Sequence, residues 1–184
     1  CFVNSTRVYE ADGTNAWDLT RAEIEARNQI PPVVDFIRKY IPGCEKAFVL
    51  DTAANLGVRE TRRIHGEYIL TEEDIVAHRS FPDRVVRIYT HLAAPGVEIH
   101  SPDRMEGSAT DKHGREIVHQ ETGFDVPYRS LVPQMVADLL VAGRCISQTR
   151  DADKWPRNEV HCIAMGQAAG TAAAVAAGDG VAPR

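Results

Sequence analysis

The stretch "DLLVAGRCIS" (residues 138–147) is followed, after a short loop, by "HCIAMGQAAGTAAA" (residues 161–174). Residues 139–142 are apolar at consecutive positions, which is typical of a strand covered on both faces. Gly143 ends the predicted strand, and a glycine permits close approach by another backbone or by a ligand. The second piece predicts a helix near 160–177 whose early turns carry mostly small side chains. This strand and helix decide our prediction of the fold.

Small side chains at the start of a helix let a large, flat group lie against its backbone. Ligands of open α/β sheets lie beyond the carboxyl ends of the strands, which is where the pattern puts Gly143 and Arg144. A helix start also exposes unpaired N–H groups and partial positive charge, which suit an anion or an electron-rich ring edge. The alternative is a close helix–sheet contact without a ligand, and the residues alone leave both interpretations open.

The rest of the chain predicts mixed α and β structure, without the regular alternation of a complete doubly wound sheet. Thr20 and Glu23 indicate a capping box at the start of a first helix, which Pro31 and Pro32 interrupt. "TEED" (residues 71–74) repeats the capping signal and predicts a short helix to about His78. Strands or extended segments are predicted within residues 1–13, 45–53, 61–70, 83–93 and 124–133.

Composition excludes several classes of protein. The 184 residues are 43% hydrophobic and carry a net charge of −5 with scattered Lys and Arg, which argues against a nucleic-acid partner. No apolar run approaches the length of a membrane span, and the Ala-rich stretch after Gly166 is expected to be a packed helix. The four cysteines form no C-x-x-C pair, so we expect no zinc site and a reducing, cytoplasmic location. A start at Cys1 without Met or signal peptide is interpreted as a fragment or trimmed chain.

Four blocks of sequence, taken together and in order, resemble a known family. They are "NLGVRETRRIHGEYILTEEDI", "VPYRSLVP", "LLVAGRCIS" and "CIAMGQAAGTAAA", between residues 55 and 174. The set resembles the C-terminal part of the FAD-dependent oxidoreductase family, within the group that has the glutathione-reductase-type FAD-binding fold. The resemblance implies an α/β fold in which residues 1–137 are mainly substrate-domain elements. Residues 138–184 would then be the terminal strand and helix of the FAD-binding domain.

The resemblance also implies FAD as the cofactor and assigns residues to it. Gly143 and Arg144 would lie beside the ribityl and pyrophosphate portion. Backbone N–H groups of the final helix would face the pyrimidine edge of the flavin, from Met165, Gly166, Gln167 and Ala168. Reduction places negative charge on that edge, which a helix N-terminus stabilises.

One expected element is missing from the sequence. No G-x-G-x-x-G occurs, and this is the motif that holds the ADP part of FAD in the family. The chain therefore resembles only the family's C-terminal portion, and we expect it to bind FAD poorly by itself. Its expected partner is the missing N-terminal segment or a second chain that supplies it. Two alternatives remain: a non-catalytic subunit or fragment that completes a flavin site on a partner chain, and a degenerate domain that has lost the cofactor.

Candidate catalytic residues precede and open the final helix. Arg157 matches an arginine of the family pattern near the active site. His161 departs from the pattern, in which a small hydroxyl residue is more usual, and a histidine there can act as a base near neutral pH. The alternative is a hydrogen-bonded structural histidine. Cys162 fits the pattern and is interpreted as a small buried residue.

Candidate substrate-binding residues lie in two of the blocks. Arg59, Arg62 and Arg63 of "RETRR" can clamp a carboxylate or phosphate, or form a surface ladder with Glu60. Tyr128 and Arg129 of "VPYRSLVP" would line the same cavity, or belong to a structural turn between prolines. Four further histidines lack metal-ligand spacing and are expected at the surface: His91, His100, His113 and His119. The predicted reaction is hydride transfer from a C–H bond of a small polar substrate to the flavin, in an enzyme of which this chain is one part.

Overall fold

A computed structural model describes residues 3–89 and 123–184. The chain divides into two compact units, a first unit of residues 1–61 and a second unit of residues 62–184. The described residues combine α-helices with a small two-stranded sheet, so the predicted mixture of α and β is confirmed at that level. His91, His100, His113 and His119, and the polar stretch that contains them, lie outside the described residues.

The first unit contains helices α1 (Ala16–Asn28) and α2 (Ile30–Tyr40), which contact each other. The Asn15 side chain accepts hydrogen bonds from the N–H groups of residues 17 and 18, which satisfies free donors at the start of α1. The predicted start at Thr20 was therefore wrong, because Thr20 lies inside α1 and its hydroxyl donates to the Ala16 carbonyl. The predicted interruption is confirmed, since Pro31 and Pro32 occupy the first turn of α2, where a missing N–H costs little.

The strands predicted in the first unit, within residues 1–13 and 45–53, were wrong for the described residues. Residues 47–53 have no regular structure, and Leu50 is 88% exposed. A strand gains its stability from backbone hydrogen bonds to a neighbouring strand. Ala47 N donates to Cys44 O in a turn, and no described residue of this unit pairs with the segment as a strand. Apolar composition alone therefore did not decide the conformation.

The second unit contains α3 (Glu72–Val76), β1 (Arg84–Ile88), β2 (Phe124–Pro127), α4 (Arg150–Asp153) and α5 (Glu159–Asp179). The helix predicted after Leu70 is confirmed. Its capping box joins Thr71 and Asp74, each side chain accepting from the other's backbone N–H. The strand predicted within residues 83–93 is confirmed as β1, which pairs antiparallel with β2, Ile88 opposite Phe124.

Three irregular segments, residues 64–70, 129–133 and 145–149, are joined by backbone hydrogen bonds beside this sheet. Ile64 N donates to Cys145 O at 2.9 Å, and Ser147 N donates to Ser130 O at 2.9 Å. The strand predicted over 61–70 is reduced to isolated bridges at Gly66 and Leu70. Gly66 permits this packing, because a Cβ there would lie 2.6 Å from the Ser147 Cβ.

The strand predicted at 139–142 was wrong in the described structure. Leu139 is exposed and residues 140–142 are half-buried, so neither face is covered as the prediction required. A backbone hydrogen bond holds this segment, from Val141 N to Leu131 O at 2.9 Å. No strand lies beside it among the described residues. A buried parallel strand needs neighbours on both edges and helices on both faces.

Helix α5 confirms the helix predicted near 160–177 and packs against β1. Its Met165 joins a core of apolar side chains from every element of the second unit, including Leu70, Ile75, Ile88 and Phe124. Only Met165 and Ala176 of this helix are buried. Among the described residues, α5 is the one helix long and apolar enough to cross a membrane, which is weak evidence by itself. The expectation that no apolar run approaches that length was therefore wrong. The stretch after Gly166 is helical as expected but is less covered than the prediction required, because Ala176 is its one buried residue.

Candidate functional site

The structure brings together the two pieces of the predicted cofactor site, the turn at Gly143 and the first turns of α5. Gly143 has φ +91°, a conformation that favours glycine, and Ile146 N donates to its carbonyl to close the turn. A Cβ at Gly143 would lie 3.9 Å from the Cys162 Sγ. Arg144, the next residue, is exposed. The site therefore consists of a glycine turn against the start of a long helix.

Helix α5 begins earlier in the chain, closer to Arg157, than its small residues suggested. The helix begins at Glu159, so residues 165–168 lie in its second and third turns, where N–H groups bond to carbonyls four residues back. Met165 is fully buried in the core, whereas Gly166 and Gln167 are exposed and Ala168 is half-buried. These residues offer an open surface of small side chains, because a Cβ built at Gly166 would meet no atom of the described residues within 4 Å beyond the adjoining backbone of α5 itself.

The partial positive charge at the start of α5 is reduced by an acidic side chain in its first turn. Asn158 is the N-cap, but its side chain makes no capping hydrogen bond. The backbone N–H groups of His161 and Cys162 donate to the Asn158 carbonyl. Glu159 adds a carboxylate in the first turn, which stabilises the helix and opposes binding of an anion at that end.

His161 and Arg157 flank this helix start. Burial lowers the pKa of His161, although a hydrogen bond with the Trp155 backbone acts in the opposite direction. The imidazole is therefore neutral at pH 7, and its buried Nδ1 has no hydrogen-bond partner among residues 3–89 and 123–184. Arg157 is half-buried and its carbonyl accepts from the Cys162 Sγ at 3.5 Å. A neutral imidazole with an unbonded nitrogen has the chemical form that a general base requires.

Cys162 is half-buried, less than its interpretation as a buried small residue required. Burial raises the pKa of its thiol, so at neutral pH the group is protonated. A protonated thiol is a poor nucleophile. The residue therefore acts here as packing between α5 and the Gly143 turn.

The arginines of "RETRR" are divided between the two units. Arg59 belongs to the first unit, whereas Arg62 and Arg63 belong to the second. No strand covers residues 58–63, so these arginines are not arranged along a strand face. Arg59 and Arg62 are exposed and Arg63 is half-buried.

Tyr128 and Arg129 lie in a 3₁₀ turn, Tyr128–Ser130, that follows β2 directly. Arg129 donates from Nε to Asp83 Oδ2 at 2.9 Å and from Nη2 to Asp83 Oδ1 at 3.2 Å. The guanidinium hydrogen bonds hold the pKa of Asp83 below its usual range. The Tyr128 hydroxyl donates to the Pro183 carbonyl at 3.0 Å, and burial, followed by the charge of Glu67, raises the pKa of Tyr128.

A second polar cluster, formed by Tyr68, Asp74 and Arg79, lies beside this turn. The Tyr68 hydroxyl donates to Asp74 Oδ2 at 2.7 Å, and Arg79 Nη1 donates to Asp74 Oδ1 at 2.8 Å. Burial acts to raise the pKa of Asp74, but hydrogen bonds from Arg79, Tyr68 and the Thr71 backbone outweigh it, and the pKa is lowered. The Arg129 guanidinium lies over the Tyr68 ring, 5.2 Å from its centroid.

Sequence reasoning missed Asp83 and Tyr68. Asp83 precedes Arg129 by 46 residues, and no local pattern connects an aspartate before β1 with a turn after β2. The two lie together because β1 and β2 pair, with Arg84 opposite Pro127. A prediction from the sequence that these two strands pair, based on their apolar residues, was the one signal that could have placed Asp83 beside Arg129.

Comparison with known proteins gives one match. A family model described as "FAD dependent oxidoreductase" matches residues 2–184. No curated protein and no solved structure matches the chain. The family match covers nearly the whole sequence, including the four blocks and both compact units.

Proposed function

The chain belongs to the FAD-dependent oxidoreductase family, and from that premise we propose that it supplies the carboxyl-terminal part of a flavoenzyme. The match over residues 2–184 is the observation that carries the proposal. The family indicates FAD as the cofactor and a flavin oxidoreductase role. The proposed reaction is transfer of a hydride from a C–H bond of a small polar substrate to the flavin. The proposed fold around the cofactor is the glutathione-reductase type.

The residues at the Gly143 turn and on α5 fit a flavin. The surface at Gly166 and Gln167 is open, and a flat ring system requires such a surface without bulky side chains. Gly143, with its positive φ, lets a ligand approach the backbone, and Arg144 provides a cation suited to phosphate. The residues proposed to hold FAD are Gly143, Arg144, Met165, Gly166, Gln167 and Ala168. When bound, FAD accepts a hydride equivalent in such chemistry.

The chain's own side chains have proposed roles around this site. His161, neutral at pH 7 because burial lowers its pKa, would take the proton of the substrate's O–H or N–H group as a hydride leaves the adjacent C–H bond. Arg157 would stabilise negative charge nearby. Substrate contacts are proposed from two groups of side chains: Arg59, Arg62 and Arg63 in one, and Tyr128 and Arg129 in the other.

The absence of G-x-G-x-x-G from the sequence favours a site completed from outside it. The ADP part of FAD would be held by a preceding segment of a longer protein or by a second chain. The exposed apolar surface of α5 supports this, because a soluble enzyme would cover it. The same observation favours the second candidate function, a non-catalytic subunit that completes a flavin site on a partner. A cytoplasmic location, without nucleic-acid or membrane partners, completes the proposal.

A visible absorption spectrum of the native preparation, with an intact mass of the same sample, tests the proposal. Flavin bands together with a species that carries the G-x-G-x-x-G segment are expected. A colourless preparation that contains that segment would refute the flavin site. Replacement of His161 by Ala then separates the two candidates, because an enzyme would lose flavin reduction by its substrate, whereas a non-catalytic subunit would leave the rate unchanged.

A further inference from the structure

The turn Tyr128–Ser130 is fixed in place by two residues distant in sequence, Asp83 and Tyr68. Tyr128 N donates to Asp83 O at 2.7 Å, and Arg129 N donates to Asp83 Oδ2 at 3.2 Å. Tyr68 N donates to Arg129 O at 3.2 Å, and the Ser130 hydroxyl donates to Tyr68 O at 3.3 Å. Hydrogen bonds on both sides of the turn leave its backbone little freedom.

The guanidinium of Arg129 is directed by the same aspartate. Two of its five N–H groups, on Nε and Nη2, donate to the two oxygens of Asp83. One face lies over the Tyr68 ring, which restricts rotation of the group further. The side chain of Arg129 is nevertheless 43% exposed, so other molecules can reach it. Arg129 therefore presents its remaining donors in one orientation.

The charges around Arg129 determine which ligand groups its remaining N–H donors can bind. Asp83 compensates the positive charge, and the negative charge of Glu67 also acts on the guanidinium. A carboxylate or phosphate from a ligand would meet these two acidic residues and would compete with Asp83 for the same N–H groups. A hydroxyl or carbonyl oxygen carries no net charge and needs only one remaining donor.

We infer that Asp83 is a positioning residue that directs Arg129 and adapts this part of the substrate site to neutral hydroxyl or carbonyl groups rather than to carboxylates or phosphates. The inference rests on the proposed function, in which Tyr128 and Arg129 contact the substrate. It narrows that function to substrates that present an uncharged oxygen to this turn.

A titration of the full chain with sodium sulfate tests the inference without turnover. The Nε–H resonance of Arg129 is followed by ¹⁵N NMR while sodium chloride keeps the ionic strength constant. In the wild type we expect no saturable shift. In Asp83→Asn, which removes the charge and keeps the size, we expect saturable binding with a dissociation constant at least about tenfold below the highest sulfate concentration used, since the guanidinium then lacks its counter-charge. Asp83→Glu restores a carboxylate and should restore the wild-type response.

The control variant is Asp74→Asn, which removes the carboxylate from the neighbouring Arg79 and should leave the Arg129 titration unchanged. If Asp83→Asn does not fold, Asp83→Ser provides a second uncharged replacement. Saturable sulfate binding in the wild type that Arg129→Gln abolishes would overturn the inference, and so would identical titrations of the wild type and Asp83→Asn. Flavin content is measured separately, on a preparation that also contains the G-x-G-x-x-G segment, so a colourless sample of that preparation contradicts the proposed function and leaves the titration result standing.

Discussion

The two units of the chain differ in how they bury apolar residues. In the first unit, α2 has no buried residue, and large side chains such as Phe36, Phe48 and Leu50 are mostly exposed. In the second unit, side chains from both strands and from α3 and α5 form one continuous core, with Phe124 only 1% exposed. Similar apolar content therefore has a different effect in the two units, because only the second has elements on several sides of its apolar residues.

The difference shows where the stability of the chain resides. Helices in water depend on burial of one face for most of their stability, and α1 and α2 bury little within the first unit. The second unit combines apolar burial with polar groups that are satisfied inside it, such as Asp125, which is fully buried. We therefore expect the second unit to unfold cooperatively and at higher denaturant concentration than the first.

Replacement of a phenylalanine by alanine in each unit tests this comparison with the largest expected effect. Phe124→Ala removes a buried ring and should lower the free energy of unfolding of the second unit by about 3–5 kcal/mol. Phe36→Ala, the matched control, removes a ring that is 56% exposed and should cost less than about 1 kcal/mol. Urea unfolding of the second unit is followed by fluorescence of the buried Trp155 in a Trp17→Phe background. Unfolding of α1 and α2 in the first unit is followed by far-ultraviolet circular dichroism. Equal losses for the two variants would show that the units are not differently packed.

Removal of a buried carboxylate should have the next largest effect. Asp125 accepts from Arg87 Nη1 at 3.0 Å and from Phe81 N at 3.1 Å. Asp125→Ala leaves both donors without this acceptor and should cost about 2–3 kcal/mol in the same urea experiment. Glu23→Gln breaks the exposed pair with Arg27 in α1 and should cost about 0.5 kcal/mol or less. A loss for Asp125→Ala no larger than that for Glu23→Gln would contradict the role of Asp125 in the core.

A smaller change in the free energy of unfolding is expected when the pH is lowered. The pKa of Asp83 is lowered by Arg129, and that of Asp74 is lowered because its hydrogen bonds outweigh burial. Since an unfolded Asp titrates near about 3.9, the stability from both groups is complete above about pH 5 and is lost as pH falls through the lowered pKa values. The free energy of unfolding of Asp83→Asn should therefore depend less on pH in this range than that of the wild type. An unchanged slope would contradict the pairing of Asp83 with Arg129.

The sequence predicted those elements that are specified by neighbouring residues. The Thr71–Asp74 capping box, the proline-interrupted helices and the long helix α5 depend on contacts within a few positions, and each was found. The strands at 45–53, 61–70 and 139–142 were predicted and were not found. A strand depends on a partner elsewhere in the chain, and apolar runs do not identify one.

The candidate site was predicted to a similar extent. The Gly143 turn lies close to α5, since a Cβ at Gly143 would lie 3.9 Å from the Cys162 Sγ, and the assignment of both to FAD stays a prediction. The predicted donation of free backbone N–H groups from α5 to the flavin was less well supported. The small residues of α5 lie beyond its first turn, where N–H groups already bond within the helix. Asp83 could not be identified from sequence, because its role depends on the pairing of β1 with β2.

The central claim is that the second and third turns of α5 border a flavin. The amount of FAD bound by two glycine variants of the complete native protein tests it most directly. Gly166 and Gly178 both lie in α5, and a Cβ at either would meet no described residue outside the adjoining helix backbone within 4 Å, so we expect replacement of either by Val to affect the helix similarly. We expect Gly166→Val to lower the flavin absorbance per protein at least about tenfold, because a branched side chain blocks close approach of a ring. Gly178→Val should retain the wild-type flavin content. Full retention of flavin in Gly166→Val would contradict the claim.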